Sequence, residues 1–373
     1  MNTFLFLTLI FLAASLFVTF YPAVFLFHFY FGTRFVDKYE EKITRATHQN
    51  LVDKVFTQIS DFLQFVYLLL HPKGSISHPE LPVLTVDSLE DFRKVSKRLT
   101  MPVLIRAGLK DSSACKLWDF DYFEKKYANK SVACIDDSSV ENSNVSVKQG
   151  TLLEGSVKTL GSVIQNIRAG GKNYISNVSE FLKENPELVE DLEIKGLISG
   201  IKKKSKFSEF NYLFSQIFMG NSNSVSALHC AIGTNLFINV YGQKEWVLLS
   251  PKYTSLLKPH LNEFGLFAFS EQDIFNPNDI SQRIPHYRVT LEPGDVLFIP
   301  PWWWHAVRNV SDLTIGIANR VNIEDWAYLL SNRLFTYLHF KHGLGWARET
   351  PDKDILNTYV SVKPSEEELV RND

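Results

Sequence analysis

Two segments of the sequence carry the side chains best suited to chemistry. The first reads SALHCA over Ser226–Ala231 and is followed by Asn235 and by GQKEW over Gly242–Trp246. The second reads PGDVLFIPPWWWH over Pro293–His305. Histidine is the commonest metal ligand in proteins, and a lysine ammonium is a compact charge for binding an anion. No Ser-His-Asp order, phosphate-binding loop or dinucleotide fingerprint occurs in the sequence, so those chemistries are not indicated.

Together the two segments resemble those of the JmjC and cupin-like 2-oxoglutarate oxygenases, most closely the branch that contains the asparaginyl hydroxylase acting on hypoxia-inducible factor. The resemblance reaches back, more weakly, to about Pro82 and covers most of the chain that follows. It implies an oxidoreductase that uses Fe(II) and 2-oxoglutarate. Such enzymes hold the metal with two histidines and one carboxylate. The resemblance places His229 at the first metal position and His305 at the distal one.

The acidic metal ligand that this resemblance implies is missing. In the family it stands two residues after the first histidine, because alternate residues of a strand point the same way. This sequence has Ala231 there, and the neighbouring Cys230 is expected to point to the opposite face. Three outcomes stay open: the site is inactive, it recruits a carboxylate from elsewhere in the chain, or it uses the open position for another ligand such as a halide.

The polar residues that the resemblance assigns to the 2-oxoglutarate pocket, unlike the acidic metal ligand, are present in this sequence. Lys244 takes the position of the family's lysine, which binds the distal carboxylate of 2-oxoglutarate. Ser226 stands where a threonine is usual and keeps a hydroxyl, while Asn235 and Asn319 match polar residues that line the same pocket. The alternative is that Lys244 is a solvated lysine at a turn between strands.

Several other candidate residues are expected to be structural. The Trp302–Trp304 run is predicted to pack the barrel, and Asp295 to form a turn. Cys115, Cys134 and Cys230 are widely spaced, which favours buried thiols over a zinc site, with a Cys115–Cys134 disulfide as the alternative. The remaining histidines singled out lack ligand-spaced partners and are expected at the surface or in the core: His260, His286, His339 and His342.

Residues 1–33 contain no charged side chain and are predicted to form a transmembrane segment or signal anchor. A helix of about 24 residues reaches roughly 36 Å, enough to cross a bilayer. A cleaved signal peptide is the alternative. Lysines and arginines after the span favour a cytoplasmic body, whereas four glycosylation sequons favour a glycoprotein with its body in the endoplasmic reticulum or secretory lumen. The sequons begin at Asn129, Asn144, Asn177 and Asn309.

The rest of the chain is predicted to be mainly β with flanking helices, an α+β chain built on a double-stranded β-helix, the jelly-roll barrel of cupins. Residues 34–75 show helical spacing of apolar residues and are expected to form an amphipathic stalk. The cupin-like domain follows over 76–323, with its core motifs in 207–322. Residues 324–373 are expected to add a helical extension, which could support a homodimer, and a charged tail.

Local patterns predict individual elements within this domain. Helices are expected at Ser88–Leu99, Phe120–Tyr127, Thr159–Arg168 and Phe181–Leu192. Strands are expected at Ser131–Ile135, Asn235–Val240, Glu245–Leu249, Arg288–Leu291, Val296–Ile299 and Leu313–Ala318.

Two functional hypotheses from different classes follow. The first is a membrane-anchored oxygenase that hydroxylates a protein side chain through an atypical two-histidine metal site. The second is an inactive pseudo-oxygenase that serves as a binding or scaffold module for a protein partner. A net charge of -2 and a pI near 6.6 make nucleic acid an unsuitable partner for either.

Overall fold

The computed structural model describes residues 60–72, 77–138, 153–205, 210–231, 233–261, 267–270, 272–323 and 360–362. The predicted membrane span lies outside these ranges, as does nearly all of the predicted C-terminal extension. Within the ranges, no helix is both long enough and apolar enough to cross a membrane.

Strands dominate the described chain, as predicted. They are β1 (Val83–Leu84), β2 (Val103–Ile105), β3 (Ser131–Ile135), β4 (Leu153–Thr159), β5 (Ile175–Val178), β6 (Phe210–Gly220), β7 (Val225–Ala231), β8 (Thr234–Tyr241), β9 (Lys244–Leu249), β10 (Pro259–Leu261), β11 (Phe267–Ser270), β12 (His286–Leu291), β13 (Val296–Ile299), β14 (Trp304–Asn309), β15 (Thr314–Ile323) and β16 (Val360–Val362).

Two larger sheets build the body. One has the strand order β1-β2-β13-β8-β15-β6-β5 and the other β10-β11-β7-β14-β9-β12; a small third sheet has the order β16-β4-β3. Most neighbouring strands in the two larger sheets are antiparallel, and most are separated in sequence. This arrangement agrees with the jelly-roll barrel expected from the sequence.

Helices cover the outside of the strands. They are α1 (residues 60–70), α2 (Phe92–Val95), α3 (Ser113–Leu117), α4 (Phe120–Tyr127), α5 (Leu160–Arg168), α6 (Glu180–Glu184), α7 (Pro186–Asp191) and α8 (Ile194–Ser205). Short 3₁₀ helices add Val86–Asp91, Pro251–Leu256 and Ile280–Arg283.

Strand alternation divides the buried apolar side chains into three clusters. The helix-side core joins the helices to the first sheet and includes Leu236 and Ile238 of β8. The inner cluster lies between the two larger sheets and includes Phe237 of the same strand and Trp246 of β9. The outer cluster, which includes Val247, covers the other face of the second sheet. Because β8 and β9 are covered on both faces, their side chains are almost all buried.

Two predicted helices are shorter than expected. The Ser88–Leu99 prediction is wrong at both ends: a 3₁₀ turn leads into α2, which stops at Val95. Ser96 ends it, because its hydroxyl accepts a hydrogen bond from the backbone N–H of Leu99 (3.0 Å) and so competes with helical bonding. The Phe181–Leu192 prediction is divided into α6 and α7 by Pro186, which fits only the first turn of a helix.

Helix α1, the described part of the predicted stalk, packs against the second sheet. Leu63 and Tyr67 contact the outer cluster. The Gln64 amide donates to the carbonyl of Leu256 (2.8 Å), and the Tyr67 hydroxyl donates to the carbonyl of Arg283 (3.1 Å). Residues 60–70 are therefore part of the packed domain.

Candidate functional site

The two histidines singled out in the sequence meet inside the barrel. His229 on β7 lies directly opposite His305 on the antiparallel neighbour β14. Opposite residues of antiparallel strands point to the same face, and the two ring centroids are 4.2 Å apart. Both histidines are partly exposed as residues, although their rings lie in the barrel interior.

Each imidazole is held in one tautomer by its own strand. Nδ1 of His229 donates to the carbonyl of Ala227 (2.7 Å), and Nδ1 of His305 donates to the carbonyl of Trp303 (2.8 Å). Loss of hydration on burial lowers the pKa of His229 to about 4, and burial and the neighbouring His229 hold the pKa of His305 well below its usual value. Both rings are neutral at pH 7, with Nε2 as an acceptor. Metal-binding histidines commonly donate their other ring N–H to a carbonyl in this way.

The third metal position is not filled by an acid. Ala231 is buried, packs in the outer cluster, and its carbonyl accepts from the backbone N–H of Trp302 (2.7 Å). Cys230 is fully buried, and burial raises the pKa of its thiol well above the usual value, so it stays protonated. Within the described ranges, no three His, Cys, Asp or Glu residues are grouped as metal ligands. The donor set therefore does not fit the two-histidine, one-carboxylate site of the Fe(II) oxygenases.

A positive charge, Arg320, lies beside the histidine pair. Its charge lowers the pKa of both His229 and His305. Its Nε donates to Oε1 of Gln216 (2.9 Å), and one Nη donates to Oδ1 of Asn177 (3.4 Å). Arg320 was not predicted from the sequence. The signal that was available is alternation on β15, where Arg320 shares a face with Ala318 of the inner cluster.

Lys244 occupies the other end of the barrel interior. Only 1% of its surface is exposed, so the alternative of a solvated lysine is wrong. Its Nζ donates to Oδ1 of Asn309 and to Oγ1 of Thr314 (3.0 Å), which are both neutral. Burial lowers the pKa of Lys244 to about 7. The side chain passes close to Gly316, where a Cβ would lie 3.1 Å from the lysine Cε.

Ser226 lies at the Lys244 end, as the sequence predicts. Its hydroxyl is hydrogen-bonded to the buried side chain of Tyr174, and the Tyr174 ring centroid is 5.9 Å from Nζ of Lys244. Sequence analysis missed Tyr174, Thr314 and Asn309 as neighbours of the lysine. Asn309 had drawn attention only as a glycosylation sequon.

The structure places the two asparagines predicted for the pocket on different faces of the first sheet. Asn235 is on the inward face of β8, together with Phe237, and its Oδ1 has no hydrogen-bond partner among the described residues. Asn319 is not brought to the site. It shares the helix-side face of β15 with Ile317, and it donates to the carbonyl of Leu236 (2.9 Å) and accepts from Ser215 (2.6 Å). The inward residue at this point of β15 is Arg320, one position later.

Trp246 connects the two ends of the site. It lies two residues after Lys244 on β9, so both side chains point inward. Its ring stacks against His305 at 5.7 Å and meets the edge of Phe237 at 4.7 Å. Its indole N–H is buried and makes no hydrogen bond to the part of the chain that the structure describes.

The residues expected to be structural are so placed where the structure describes their side chains; His339 and His342 lie outside the described residues, and the expectation for His260 stays a prediction. The Asp295 carboxylate accepts from the backbone N–H groups of Ala107 (2.8 Å) and Glu292 (2.9 Å) and pairs with Arg106. The indoles of Trp303 and Trp304 donate to protein oxygens, and all residues of the tryptophan run are buried. His286 is a buried core histidine. The three cysteines are free thiols, so the alternative disulfide is absent from the described structure.

Two of the four sequons are inaccessible in the folded domain. Asn177 and Asn309 are only 5% exposed. Asn309 also donates to the carbonyl of Asn221 (2.7 Å). Asn129 is exposed, and Asn144 lies outside the described residues. The sequence expectation of glycosylation therefore fails for Asn177 and Asn309.

Comparison with known proteins identifies similar sequences. Residues 90–319, more than half of the chain, match the family described as a cupin-like domain. The chain is 24% identical to Jumonji C domain-containing protein 5 of Drosophila melanogaster over 62% of its own length and 58% of the relative's. It is 32% identical to human HSPB1-associated protein 1 over 30% of its length and 24% of the relative's. The chain thus spans less than two thirds of either relative.

A third relative is covered more fully. The chain is 24% identical to the bifunctional arginine demethylase and lysyl-hydroxylase psr-1 of Caenorhabditis briggsae, over 74% of its own length and 71% of the relative's.

Proposed function

Because this chain belongs to the cupin-like domain family, whose JmjC members generally use Fe(II) and 2-oxoglutarate, we propose that its barrel binds a 2-oxoglutarate-like dicarboxylate without iron-dependent hydroxylation. The domain would then be a pseudo-oxygenase, a binding module derived from an enzyme.

The observation that carries this proposal is the environment of Lys244. An ammonium removed from water costs several kcal/mol unless it is paired. Its hydrogen-bond partners here are a neutral amide and a neutral hydroxyl, so the lowered pKa of about 7 reflects burial without a compensating charge. A ligand carboxylate would provide that charge. Ala231 at the acid position, with Cys230 protonated beside it, supports the second half of the proposal, because the metal would lack its anionic ligand.

Calorimetric titration of the full-length protein with 2-oxoglutarate tests the binding proposal. Lys244→Met is expected to weaken binding about 100-fold, since a charge-assisted hydrogen bond contributes about 1.5–3 kcal/mol and the ligand charge would be left unpaired. Lys116→Met is the matched control, because Lys116 is exposed on α3. Equal affinity of the Lys244 and Lys116 variants for 2-oxoglutarate would show that Lys244 does not bind the ligand.

A metal-dependent hydroxylase is the second candidate function. The histidine pair favours it, because both Nδ1 atoms are bonded to carbonyls and both Nε2 atoms can accept. Succinate formation from 2-oxoglutarate with Fe(II) and ascorbate distinguishes the two candidates. Turnover by the parent protein that is lost in His229→Ala would establish the enzyme and overturn the pseudo-oxygenase proposal.

The names of the relatives suggest that the partner is a protein. One relative is described as associated with HSPB1 and another as a lysyl-hydroxylase. We therefore propose a protein as the binding partner of this domain, or as its substrate under the second candidate function. Crosslinking of the full-length protein in the presence and absence of 2-oxoglutarate, with identification of the captured chains, tests this.

The membrane anchor and the homodimer rest on the sequence alone. We propose that residues 1–33 anchor the chain and that residues 324–346 mediate dimerisation. Retention in the membrane pellet after alkaline extraction tests the first proposal, and sedimentation of detergent-solubilised protein tests the second. Protection of the body from protease in sealed vesicles would place it in the lumen.

A further inference from the structure

We propose that the outward face of α1 lies in the surface layer of the lipid bilayer that residues 1–33 enter, so that the barrel is held against the membrane at a second point. This rests on the membrane anchor proposed above and adds a contact between the folded domain and the lipid. The outward face consists of Phe62, Phe65, Leu69 and Leu70.

These four side chains are the most exposed large apolar groups of the described residues. Between 59% and 67% of each is exposed, whereas the next most exposed, Val83 and Leu117 at 53%, lie on β1 and α3. Soluble domains seldom leave large apolar groups exposed side by side, and such a patch marks a surface that meets a partner or a membrane. The outward face of α1 therefore calls for an apolar neighbour.

Helix geometry explains why this face is apolar and uncovered. Phe62, Phe65 and Leu69 are spaced three and four residues apart, so they share one side of the helix. The other side is held on the second sheet by Leu63 and Tyr67, which contact the outer cluster. Packing of the domain uses one apolar side of α1 and leaves the second exposed.

The length of α1 suits a helix that lies along a bilayer. Residues 60–70 reach about 16 Å, about half of the roughly 30 Å of the hydrocarbon core, so the described helix cannot span it. Helices that lie in the membrane interface present phenylalanine and leucine to the acyl chains and bury that face by about 5–10 Å. The outward face of α1 carries these two residue types.

The sequence before α1 leads from this face to the proposed anchor. Val55 and Ile59 precede Phe62 at the same spacing of four and three residues, so the apolar pattern continues toward the N-terminus. Residues 34–59 connect the uncharged segment to α1 and reach at most about 90 Å when extended. A bilayer that holds residues 1–33 is therefore within reach of α1.

The size of the patch favours a bilayer over a second copy of the chain. At about 200 Å² for each large side chain, the four groups expose roughly 500 Å². A stable protein interface takes about 800 Å² from each partner. A bilayer needs no matching surface, and the anchor would make the contact intramolecular in its entropic cost.

The charges beside α1 are compatible with phospholipid headgroups. Asp61, the one acid in the sequence of α1, pairs with Lys258 at 2.7 Å. Lys252 is exposed on the neighbouring 3₁₀ helix, with its Nζ 4.7 Å from the centroid of the Tyr253 ring. A lysine near a membrane surface is attracted to anionic lipid. The border of the patch thus offers a paired acid and an exposed cation.

Spin labels on the full-length protein in vesicles of phosphatidylcholine and phosphatidylserine test this proposal. Phe65→Cys carries the label on the outward face. Leu117→Cys is the matched control, because Leu117 is also exposed but lies on α3, which packs on the helix-side core at the other side of the domain. Both are made with Cys115→Ser, since the other two cysteines are buried. Neither labelled position is buried, so neither substitution should unfold the domain.

Electron paramagnetic resonance measures how often each label collides with oxygen, which enters the bilayer, and with a nickel complex, which stays in water. We expect the nickel complex to reach the label of Phe65→Cys several-fold less often than that of Leu117→Cys, and oxygen to reach it more often. A label in Leu69→Cys should behave like that of Phe65→Cys, because both residues share the outward face.

The other outcomes contradict the proposal in distinct ways. Equal access of the nickel complex to the labels of Phe65→Cys and Leu117→Cys would show that α1 stays in water, and would leave the anchor intact. Shielding of the Phe65→Cys label from both reagents would show that protein covers the face, either residues 324–346 or a second copy. Protein that leaves the vesicles on alkaline extraction would overturn the anchor and this proposal together.

Discussion

The two ends of the barrel interior differ in how far they keep the arrangement of an oxygenase. At the Lys244 end, the lysine is enclosed and fixed by Asn309 and Thr314. At the histidine end, His229 and His305 face each other with each Nδ1 bonded to a carbonyl, but the acid position is Ala231 and Arg320 lies alongside. The proposal that the barrel binds a dicarboxylate without iron rests on this difference.

The largest expected effect is acid destabilisation through the histidine end. The folded-state pKa values of His229 and of His286 in the core are about 4, and burial and the neighbouring His229 hold the pKa of His305 well below its usual value. As pH falls from about 6.5 to 4, the unfolded chain therefore binds protons that the folded chain does not. The free energy of unfolding should fall by up to about 1.4 kcal/mol per pH unit for each group, and by less where solvent reaches a ring.

Urea unfolding in EDTA between pH 7 and 4 measures this. His229→Gln should have a shallower slope than the parent protein. A slope equal to that of the parent would show that His229 is not kept neutral by the fold.

The Lys244 end should respond at alkaline pH. Its folded-state pKa of about 7 lies below the value of about 10.4 in an unfolded chain, so the unfolded state holds the proton longer as pH rises. Stability should therefore increase between pH 7 and 10, by at most about 1.4 kcal/mol per unit. Urea unfolding of the unliganded protein should show this rise, and Lys244→Met should lack it. Its persistence in the variant would assign the titration to another group.

Alanine substitutions at two glycines compare how tightly the Lys244 end and the histidine end are packed. A Cβ at Gly316 would overlap the Phe237 ring and crowd Lys244, whereas a Cβ at Gly233 would lie 3.8 Å from Arg320, an ordinary contact. Gly316→Ala should lower the free energy of unfolding by about 1–3 kcal/mol through overpacking. Gly233→Ala should change it by about 0.5 kcal/mol or less. Thermal melting of both variants tests the contrast, and equal destabilisation would show that the histidine end is packed as tightly.

The last contrast is between the two asparagines. Asn319→Ala should destabilise the fold by about 1–3 kcal/mol, because Ser215 and the Leu236 carbonyl each lose one buried hydrogen bond, while leaving 2-oxoglutarate affinity unchanged. Asn235→Ala should have little effect on melting, since its Oδ1 bonds to nothing in the described structure, but should weaken ligand binding. If Asn319→Ala instead weakened ligand binding and Asn235→Ala lowered stability, Asn319 would belong to the site and Asn235 would not.

Much of the site could be predicted from the sequence, because the motif spacing is tied to strand alternation. His229, His305 and Lys244 all point inward as expected. The prediction that Asn319 lines the pocket failed. Which residues of β15 point inward depends on where the strand begins and on which of its faces meets the barrel interior, and a short apolar run shows neither. Asn309 and Thr314 were missed because they reach Lys244 from β14 and β15 across the fold.

The elements themselves were predictable where local signals were strong. Phe120–Tyr127 is a helix with those bounds, since the Asp119 side chain caps it by accepting from the N–H of Tyr122. The strand Ser131–Ile135 was also predicted correctly. Ile194–Ser205 was missed because its glycines and lysine run weaken the helical pattern, and packing of Leu197 and Ile201 in the helix-side core overrides that weakness.

Native mass spectrometry of the full-length protein with Fe(II) and 2-oxoglutarate tests the central claim most directly, because it counts both ligands on one molecule. The predicted spectrum contains the protein with one 2-oxoglutarate and no metal, and this species is unchanged when EDTA is added. A spectrum in which 2-oxoglutarate is found only on molecules that also carry one iron would contradict the claim and support the two-histidine enzyme.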